Sequence, residues 1–281
     1  MSRWFQKGDP VQDVSINDRA FQYGDGLFET IAIRKGQPRL WNYHMDRLTE
    51  GCERLRISMP EVETLRNWLD HAVGKSDQLA AYCAAKIVVS SGVSRRGYGR
   101  AQPTDAKTFV GVFPTMPVAK IKYRDGVKTA LCNTRLALFS VTAGLKTLNR
   151  LEQVLARSES AVDGAFEGLT LDADGRLICG TMSNVFIVSN ESIITPSLDR
   201  CGVKGVMRRH TIETLEKNGI AIEIRDVSEA EFLGCDEVFL SNSQFGVLPV
   251  RRCADKVWPS HRVTSQVMAM MADNGIAECA P

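Results

Sequence analysis

Lys146 is the residue whose setting in this chain most favours covalent chemistry. It lies within residues 142–153, directly before a run with the spacing of an amphipathic helix. A lysine amine can form a Schiff base with a carbonyl compound and can then carry a proton. The alternative is an ordinary solvated lysine, so the prediction depends on what else the chain supplies.

Three other segments could hold a phosphate group, which makes pyridoxal 5'-phosphate (PLP) the expected partner of such a lysine. Residues 202–208 combine glycines with a helix start, where backbone N–H groups and the helix dipole attract an anion. Arg47 lies on a predicted helix, and residues 241–243 offer hydroxyl and amide donors after an apolar strand. The alternatives are a glycine-rich turn before a surface helix, a solvated arginine and an ordinary loop.

The composition of the 281 residues is that of a soluble globular protein, with 44% hydrophobic and 24% charged residues. A net charge of only +2 gives no concentrated basic surface, so we expect neither a nucleic-acid nor a membrane partner. The N-terminal residues have no apolar run typical of a secretory signal, and we expect a cytoplasmic protein with reduced thiols. The cysteines are scattered without a Cys-x-x-Cys pair, which argues against a metal site. They are Cys52, Cys83, Cys132, Cys179, Cys201, Cys235, Cys253 and Cys279.

Strand and helix patterns are intermixed along the chain and predict a mixed α/β fold with largely antiparallel or mixed sheets. Two prolines and the lack of a clear period place a linker at 115–125, between domains at 1–114 and 126–281. A glycine-rich basic loop at 91–100 has the length of a functional loop. Strands are predicted at 27–34, 84–90, 108–113, 127–132, 169–171, 184–188, 192–195, 221–225 and 237–240, and helices at 41–55, 60–73, 149–162, 205–218 and 260–272.

Six ordered segments of the chain carry a family resemblance. They are residues 18–30, His44 to Leu48, the Lys146 segment, 183–186, 205–208 and 236–239. In order and approximate spacing they resemble the fold-type IV, or class IV aminotransferase-like, PLP enzymes. This group includes branched-chain and D-amino acid aminotransferases and 4-amino-4-deoxychorismate lyases. Residues 146–154 are most similar to the lyases, because the Asn-Tyr pair typical of branched-chain aminotransferases is missing.

The resemblance implies a small N-terminal α/β domain, a larger C-terminal domain and PLP in the cleft between them. It also implies a homodimer whose loops help to close each active site. Lys146 would then bind PLP, and Thr30 would lie near the reacting carbon. We expect His44, by contrast, to be a surface or capping residue of its helix.

Further site residues follow from the same resemblance. Met207 replaces a threonine of some relatives, so it can offer its backbone N–H but no hydroxyl. The phosphate would be held by Arg47, the backbone of Val206 and Met207, and Ser243.

The substrate carboxylates would be held by Arg96 and Tyr98 of the long loop, with Asn242 as a further contact. A planar guanidinium such as that of Arg96 suits a carboxylate better than an ammonium does.

Cys179 departs from the family pattern. It stands five residues before Asn184, where relatives usually carry a glutamate that pairs with the pyridine nitrogen of PLP. Three interpretations remain open. Cys179 contacts the nitrogen and leaves the ring less electron-withdrawing, or another group such as a water takes over, or much of the activity is lost.

The neutral thiol favours a lyase over a transaminase. A lyase of this group converts 4-amino-4-deoxychorismate to pyruvate and 4-aminobenzoate, a folate precursor. Because the ring of the substrate becomes aromatic, the reaction needs a weaker electron sink than transamination does. Lys146 would remove the proton from the carbon bearing nitrogen, and Thr30 would relay or position a proton. The rivals are a D-amino acid or branched-chain aminotransferase on the same fold, and a weakly active PLP-binding protein.

Overall fold

The computed structural model describes residues 3–76, 82–94, 96–100, 102–162 and 164–280. The chain divides into two compact units. The N-terminal unit comprises Met1–Pro117 and Leu145–Asn149, and the C-terminal unit comprises Val118–Gly144 and Arg150–Pro281. The short segment that carries Lys146 therefore belongs to the N-terminal unit, although the chain on either side of it belongs to the other. The predicted boundaries at 1–114, 115–125 and 126–281 stay a prediction.

The N-terminal unit is built on a six-stranded antiparallel sheet of order β2-β1-β6-β5-β3-β4. Its long central strands carry the β-branched and apolar residues that favour extended backbone. The strands are β1 Arg3–Gln6, β2 Asp9–Val11, β3 Gly26–Arg34, β4 Gln37–Pro38, β5 Tyr82–Ser90 and β6 Lys107–Pro114. The helices are α1 Arg19–Tyr23, α2 Trp41–Leu55 and α3 Val62–Gly74.

Strand β3 separates two kinds of side chain because successive residues of a strand point to opposite faces. Leu27, Ile31 and Ile33 are buried in the hydrophobic core of the N-terminal unit, together with Leu48 of α2. Glu29 falls on this buried face by the same alternation and is 1% exposed. The opposite face carries Phe28 and Thr30, which are half-buried. Strand β3 thus buries one carboxyl group in an otherwise apolar row.

The C-terminal unit contains a nine-stranded mixed sheet of order β12-β11-β10-β13-β14-β7-β8-β9, with β15 paired to β14. Three of its pairings are parallel, namely β11 with β12, β14 with β7 and β7 with β8. The strands are β7 Val127–Leu131, β8 Glu167–Leu171, β9 Leu177–Gly180, β10 Asn184–Ser189, β11 Ser192–Pro196, β12 Ile222–Arg225, β13 Glu237–Asn242, β14 Gly246–Cys253 and β15 Lys256–Val257. The helices are α4 Lys120–Asp125, α5 Leu151–Val162, α6 Val206–Lys217, α7 Glu229–Gly234 and α8 Arg262–Asp273, followed by a 3₁₀ turn at Ala277–Cys279.

The structure confirms the mixed α/β fold with largely antiparallel sheets, and α2 has the predicted bounds. Four helices begin one or two residues later than predicted. Pro60 precedes α3 rather than opening it, α5 starts at Leu151, α6 at Val206 and α8 at Arg262. Strand β14 was not predicted because Pro249 interrupts its apolar run, and proline is usually excluded from central strands. Part of the predicted linker forms helix α4.

Three general features bear on the class of protein. Among the helices of the described residues, none combines the length and apolar character that a membrane crossing requires. All eight cysteines are buried and carry free thiols. Within the described ranges, no group of His, Cys, Asp and Glu side chains has the arrangement of a metal site.

Candidate active site

Lys146 is anchored through its backbone to the start of β3. The Phe28 N–H donates to the Lys146 carbonyl at 2.9 Å, and the Leu148 N–H donates to the Gly26 carbonyl at 3.0 Å. The Lys146 Nζ lies 4.4 Å from the centroid of the Phe28 ring. A cation over an aromatic face is stabilised by the ring quadrupole. The amine is therefore held in a defined place, half-buried, in the same unit as Thr30.

A second lysine contacts the same ring. Lys86 of β5 lies opposite Thr30 in the strand register, and its Nζ is 4.6 Å from the centroid of Phe28. Burial lowers the pKa of the Lys86 ammonium. Phe28 and Thr30 share one face of β3, so this face gathers two lysine amines and a hydroxyl. Sequence reasoning did not single out Lys86, although a charged residue inside the apolar run 84–90 was the available signal.

Arg47 is fixed by the buried carboxyl group of Glu29. Its Nε donates to Glu29 Oε1 at 2.8 Å and its Nη2 donates to Oε2 at 2.5 Å, a two-pronged pairing. His44 Nδ1 lies 2.6 Å from Glu29 Oε2. Burial by itself would raise the pKa of Glu29, but the charges and hydrogen bonds of Arg47 and His44 lower it to about 2. Glu29 is thus a carboxylate at neutral pH, and sequence reasoning missed it.

His44 is fully buried, so the expectation of a surface or capping residue was wrong. Burial is the main reason that the pKa of His44 is lowered. Glu29 opposes this shift, and the positive charges of Arg47 and Lys146 add to it. A neutral ring that donates from Nδ1 to Glu29 leaves Nε2 as an acceptor. Nε2 is buried and has no hydrogen-bond partner among the described residues.

The N-terminus of α6 is the candidate anion-binding part of the C-terminal unit. Gly205 precedes the helix, and a Cβ there would lie 1.9 Å from Asn184 Oδ1, so only glycine fits. The Asn184 Nδ2 donates to the Val203 carbonyl at 3.0 Å and so fixes the approach to the helix. The first backbone N–H groups of a helix lack intrahelical partners. Val206 and Met207, the first residues of α6, therefore present N–H groups to an anion.

Cys179 lies on β9 and is 6% exposed. Burial raises the pKa of its thiol to about 11, so the group is neutral at physiological pH. Its Sγ lies 3.8 Å from the Thr170 hydroxyl, and the Val203 N–H is also bonded to it. Val203 is therefore bonded both to Cys179, which departs from the family pattern, and to Asn184, which lies against Gly205.

Two predicted site residues lie at the turn between β13 and β14. The Asn242 Nδ2 donates to the Met182 carbonyl, and the Asn242 Oδ1 accepts the Gln244 N–H at 2.6 Å. The amide is thereby used to hold the turn that follows β9. Ser243 is half-buried in the same connection. The substrate role of Asn242 and the phosphate role of Ser243 stay predictions.

The two predicted substrate residues of the long loop are exposed. Arg96 points to solvent and Tyr98 is 87% exposed, both in the N-terminal unit. Arg95 of the same loop lies outside the described residues. Thr30, Lys146 and Arg47 also belong to this unit, whereas Cys179, Val206, Met207, Asn242 and Ser243 belong to the C-terminal unit.

Comparison with known proteins identifies the family. The Amino-transferase class IV family matches residues 26–253. The chain is 36% identical over 246 residues to an aminodeoxychorismate lyase of Vibrio harveyi, which covers 86% of this chain and 88% of the relative. It is 41% identical to a crystal structure of 4-amino-4-deoxychorismate lyase from Pseudomonas aeruginosa, with a TM-score of 0.90 and coverage of 97% of this chain and 99% of that one. A putative branched-chain-amino-acid aminotransferase of Methanocaldococcus jannaschii is 27% identical, over 84% of this chain and 81% of its own length.

The chain belongs to the class IV aminotransferase family. Membership confirms the predicted family and fold class, and it confirms PLP as the expected cofactor. Membership by itself assigns no role to the individual site residues.

The Glu29–Arg47 pair leads to a stability prediction. Glu29→Gln removes a buried charge partner and should lower the free energy of unfolding by about 3 kcal/mol at neutral pH. The folded-state pKa of Glu29 is depressed, so its contribution is complete above the ordinary value of 4.5 and is lost as pH falls toward about 2. Urea denaturation at several pH values measures the difference between the wild type and the variant.

The control for this prediction is Glu50→Gln on α2, the helix that carries Arg47. Glu50 pairs with Arg54 at 3.4 Å on the exposed surface, so its loss should cost about 0.5 kcal/mol or less. Equal effects of the two substitutions at neutral pH would show that Glu29 is not a structural anchor.

Proposed function

We propose that this protein is a PLP-dependent lyase that converts 4-amino-4-deoxychorismate to 4-aminobenzoate and pyruvate, a step that supplies a folate precursor. The observation that carries the choice of reaction is the buried, neutral thiol of Cys179 at the position proposed to face the pyridine nitrogen. The likeness to lyases, at 36% and 41% identity over most of the chain, supports the same choice.

The residues present fit PLP. Lys146 supplies an amine, Arg47 a guanidinium held by Glu29, and α6 a helix N-terminus preceded by Gly205, where a Cβ would clash with Asn184. Each of these groups matches an aldehyde or a phosphate dianion in chemistry. Arg47, the N–H groups of Val206 and Met207, and the Ser243 hydroxyl would hold the phosphate, and Lys146 would bind the aldehyde carbon.

When bound, PLP makes an amine-bearing carbon acidic by withdrawing electrons from it. Lys146 would remove the proton from that carbon. The Phe28 ring and the half-buried setting keep the lysine near this position. Thr30, on the same face of β3 as Phe28, positions the proton that the departing pyruvate enol takes up. Loss of pyruvate makes the remaining ring aromatic, which provides driving force without a strong electron sink.

The carboxylates of the substrate require cations. Arg96 of the long loop supplies a planar fork, Tyr98 a hydroxyl, and Asn242 an amide. Lys86 adds an ammonium next to Thr30, and burial lowers the pKa of this ammonium. An ammonium that is poorly hydrated gains more from pairing with a carboxylate than one in open water.

The assembly and location are also part of the proposal. Leu151, Val154 and Leu155 form an apolar stripe on α5 and are 70%, 57% and 52% exposed. Apolar residues at this helical spacing favour burial against a partner, here a second copy of the chain in a homodimer. The buried free thiols fit the reducing conditions of the cytoplasm.

A turnover assay with an absorption spectrum tests the main proposal. The wild type should release pyruvate and 4-aminobenzoate and should absorb in the visible range. Lys146→Ala should lose the borohydride-reducible linkage, and its turnover should fall by about 10³-fold, because the acid–base group is gone. Lys217→Ala, an exposed lysine at the end of α6, is the matched control and should behave as the wild type. A reducible linkage that persists in Lys146→Ala would assign the role to another lysine.

The same assay separates the rivals. An aminotransferase would convert amino donors to keto acids faster than it releases 4-aminobenzoate. A weakly active PLP-binding protein would show the visible absorption without turnover of either substrate set.

Cys179 allows a test of the electron-sink argument. A carboxylate at this position would favour a protonated pyridine nitrogen. Cys179→Glu should therefore raise side transaminase turnover relative to lyase turnover by roughly tenfold, equivalent to about 1.4 kcal/mol. Cys179→Ser keeps a neutral group and should leave the ratio unchanged. An unchanged ratio in Cys179→Glu, with cofactor absorption retained, would mean that residue 179 does not tune the ring.

A further inference from the structure

Arg19 is a buried guanidinium, 4% exposed, that binds the inner side of the long loop. Its Nη1 donates to the Gly97 carbonyl at 2.9 Å and to Ser94 Oγ at 3.0 Å, and its Nη2 donates to the Tyr98 carbonyl at 2.9 Å. A longer bond of 3.4 Å reaches the Gly99 carbonyl. Three successive carbonyl groups of the loop thus converge on one side chain.

Asp25 holds Arg19 in turn. The Arg19 Nε donates to Asp25 Oδ2 at 2.7 Å, and the Ser91 hydroxyl donates to the same oxygen at 2.7 Å. Arg100, at the far end of the loop, donates to Asp25 Oδ1 at 2.7 Å. Burial would raise the pKa of Asp25, but these hydrogen bonds and the two positive charges lower it. One carboxylate therefore connects Arg19 to both ends of the loop.

The start of the loop is also fixed. The Arg19 N–H donates to the Gly92 carbonyl at 2.9 Å, and the Gly92 N–H donates to the Ser90 hydroxyl at 3.0 Å. Gly92 has φ of +85°, and a Cβ there would lie 2.0 Å from the Asp105 carbonyl oxygen. No other residue fits, so the direction in which the loop leaves β5 is set by local sterics.

The side chains of Arg96 and Tyr98 point the other way. Arg96 is exposed, and the Tyr98 ring, 5.5 Å from that of Tyr23, is mostly exposed. The carbonyl groups of residues 97–99 thus face Arg19, while the side chains of Arg96 and Tyr98 face solvent, and this part of the loop forms a rigid platform. A platform that is ordered before binding loses less conformational entropy when a ligand arrives.

We propose that Arg19 is a positioning residue that orders residues 96–100 of the long loop, so that Arg96 and Tyr98 are preorganised to bind a substrate carboxylate. This inference rests on the proposed function for the role of Arg96 and Tyr98, but the ordering of the loop stands on its own contacts. A lysine could not replace Arg19, because a single ammonium cannot reach three carbonyls and Asp25 with the planar geometry of a guanidinium.

Trypsin provides the first measurement, which needs no substrate. Cleavage after Arg96 or Arg100 in the native holoenzyme should be about tenfold faster in Arg19→Lys than in the wild type, because cleavage requires an open backbone. Arg66→Lys is the control, since Arg66 pairs with Asp70 on the exposed surface of α3. Equal cleavage rates in the wild type and Arg19→Lys would overturn the ordering of the loop by Arg19.

Steady-state kinetics provide the second measurement. In Arg19→Lys the KM for 4-amino-4-deoxychorismate should rise roughly tenfold or more, while kcat and the visible absorption stay near wild type, because uniform binding is lost rather than chemistry. Adding Arg96→Ala to Arg19→Lys should have a smaller effect than Arg96→Ala alone, since the two share one function. An unchanged KM, or a fall in kcat alone, would overturn the proposal.

The two measurements separate the role of Arg19 from the proposed lyase activity. A wild type without lyase turnover refutes the proposed function and leaves the trypsin result to decide the ordering role. An active wild type with an unaltered Arg19→Lys variant refutes the role of Arg19 only. If Arg19→Lys does not fold, Asp25→Asn, which keeps the shape of the side chain and removes its charge, carries the same two measurements.

Discussion

The buried carboxylate of Glu29 is the interaction on which the N-terminal half of the candidate site depends. It lies in the apolar row of β3, where an unpaired charge would be severely destabilising. Arg47 and His44 compensate it through three short contacts. The same pairing holds the Arg47 guanidinium in one orientation, and strand alternation places Phe28 and Thr30 on the opposite face. Glu29 thereby sets the orientation of Arg47, the proposed phosphate ligand, on a strand whose other face carries Phe28 and Thr30.

The C-terminal half of the site is organised by close approach rather than by charge. Gly205 and Asn184 fit so closely that a Cβ on Gly205 would clash with the Asn184 side chain, and one of the two would have to shift. Val203 is bonded through its carbonyl to Asn184 and through its N–H to Cys179. The phosphate end and the ring-nitrogen end of the proposed cofactor site are therefore joined by one residue. Under the proposed function, a neutral thiol at the second end would leave the ring a weak electron sink, which a reaction driven by aromatisation tolerates.

Local pattern was sufficient to predict much of the fold and some of the site. The bounds of α2, strand β3 and the glycine before α6 follow from spacing and from helix-start chemistry alone. Glu29, His44 and Arg19 did not follow, because most of their partners lie 15 to 80 residues away and no local period reveals them. Strand β14 was missed for the opposite reason. Pro249 is a strong local signal against a strand, but pairing with β13 on one side and β7 on the other forms the strand in spite of it.

Arg19 and Arg47 repeat one arrangement within a short stretch of chain. Each guanidinium is held by a carboxylate, Asp25 for one and Glu29 for the other, at the entrance to or within β3. Buried ion pairs are rarely the cheapest way to stabilise a fold, since apolar residues of equal volume often serve as well. Their presence at two points is better explained by geometry. A paired arginine has one allowed orientation, and the proposed chemistry needs a fixed cation for the phosphate and a fixed loop for the substrate carboxylate.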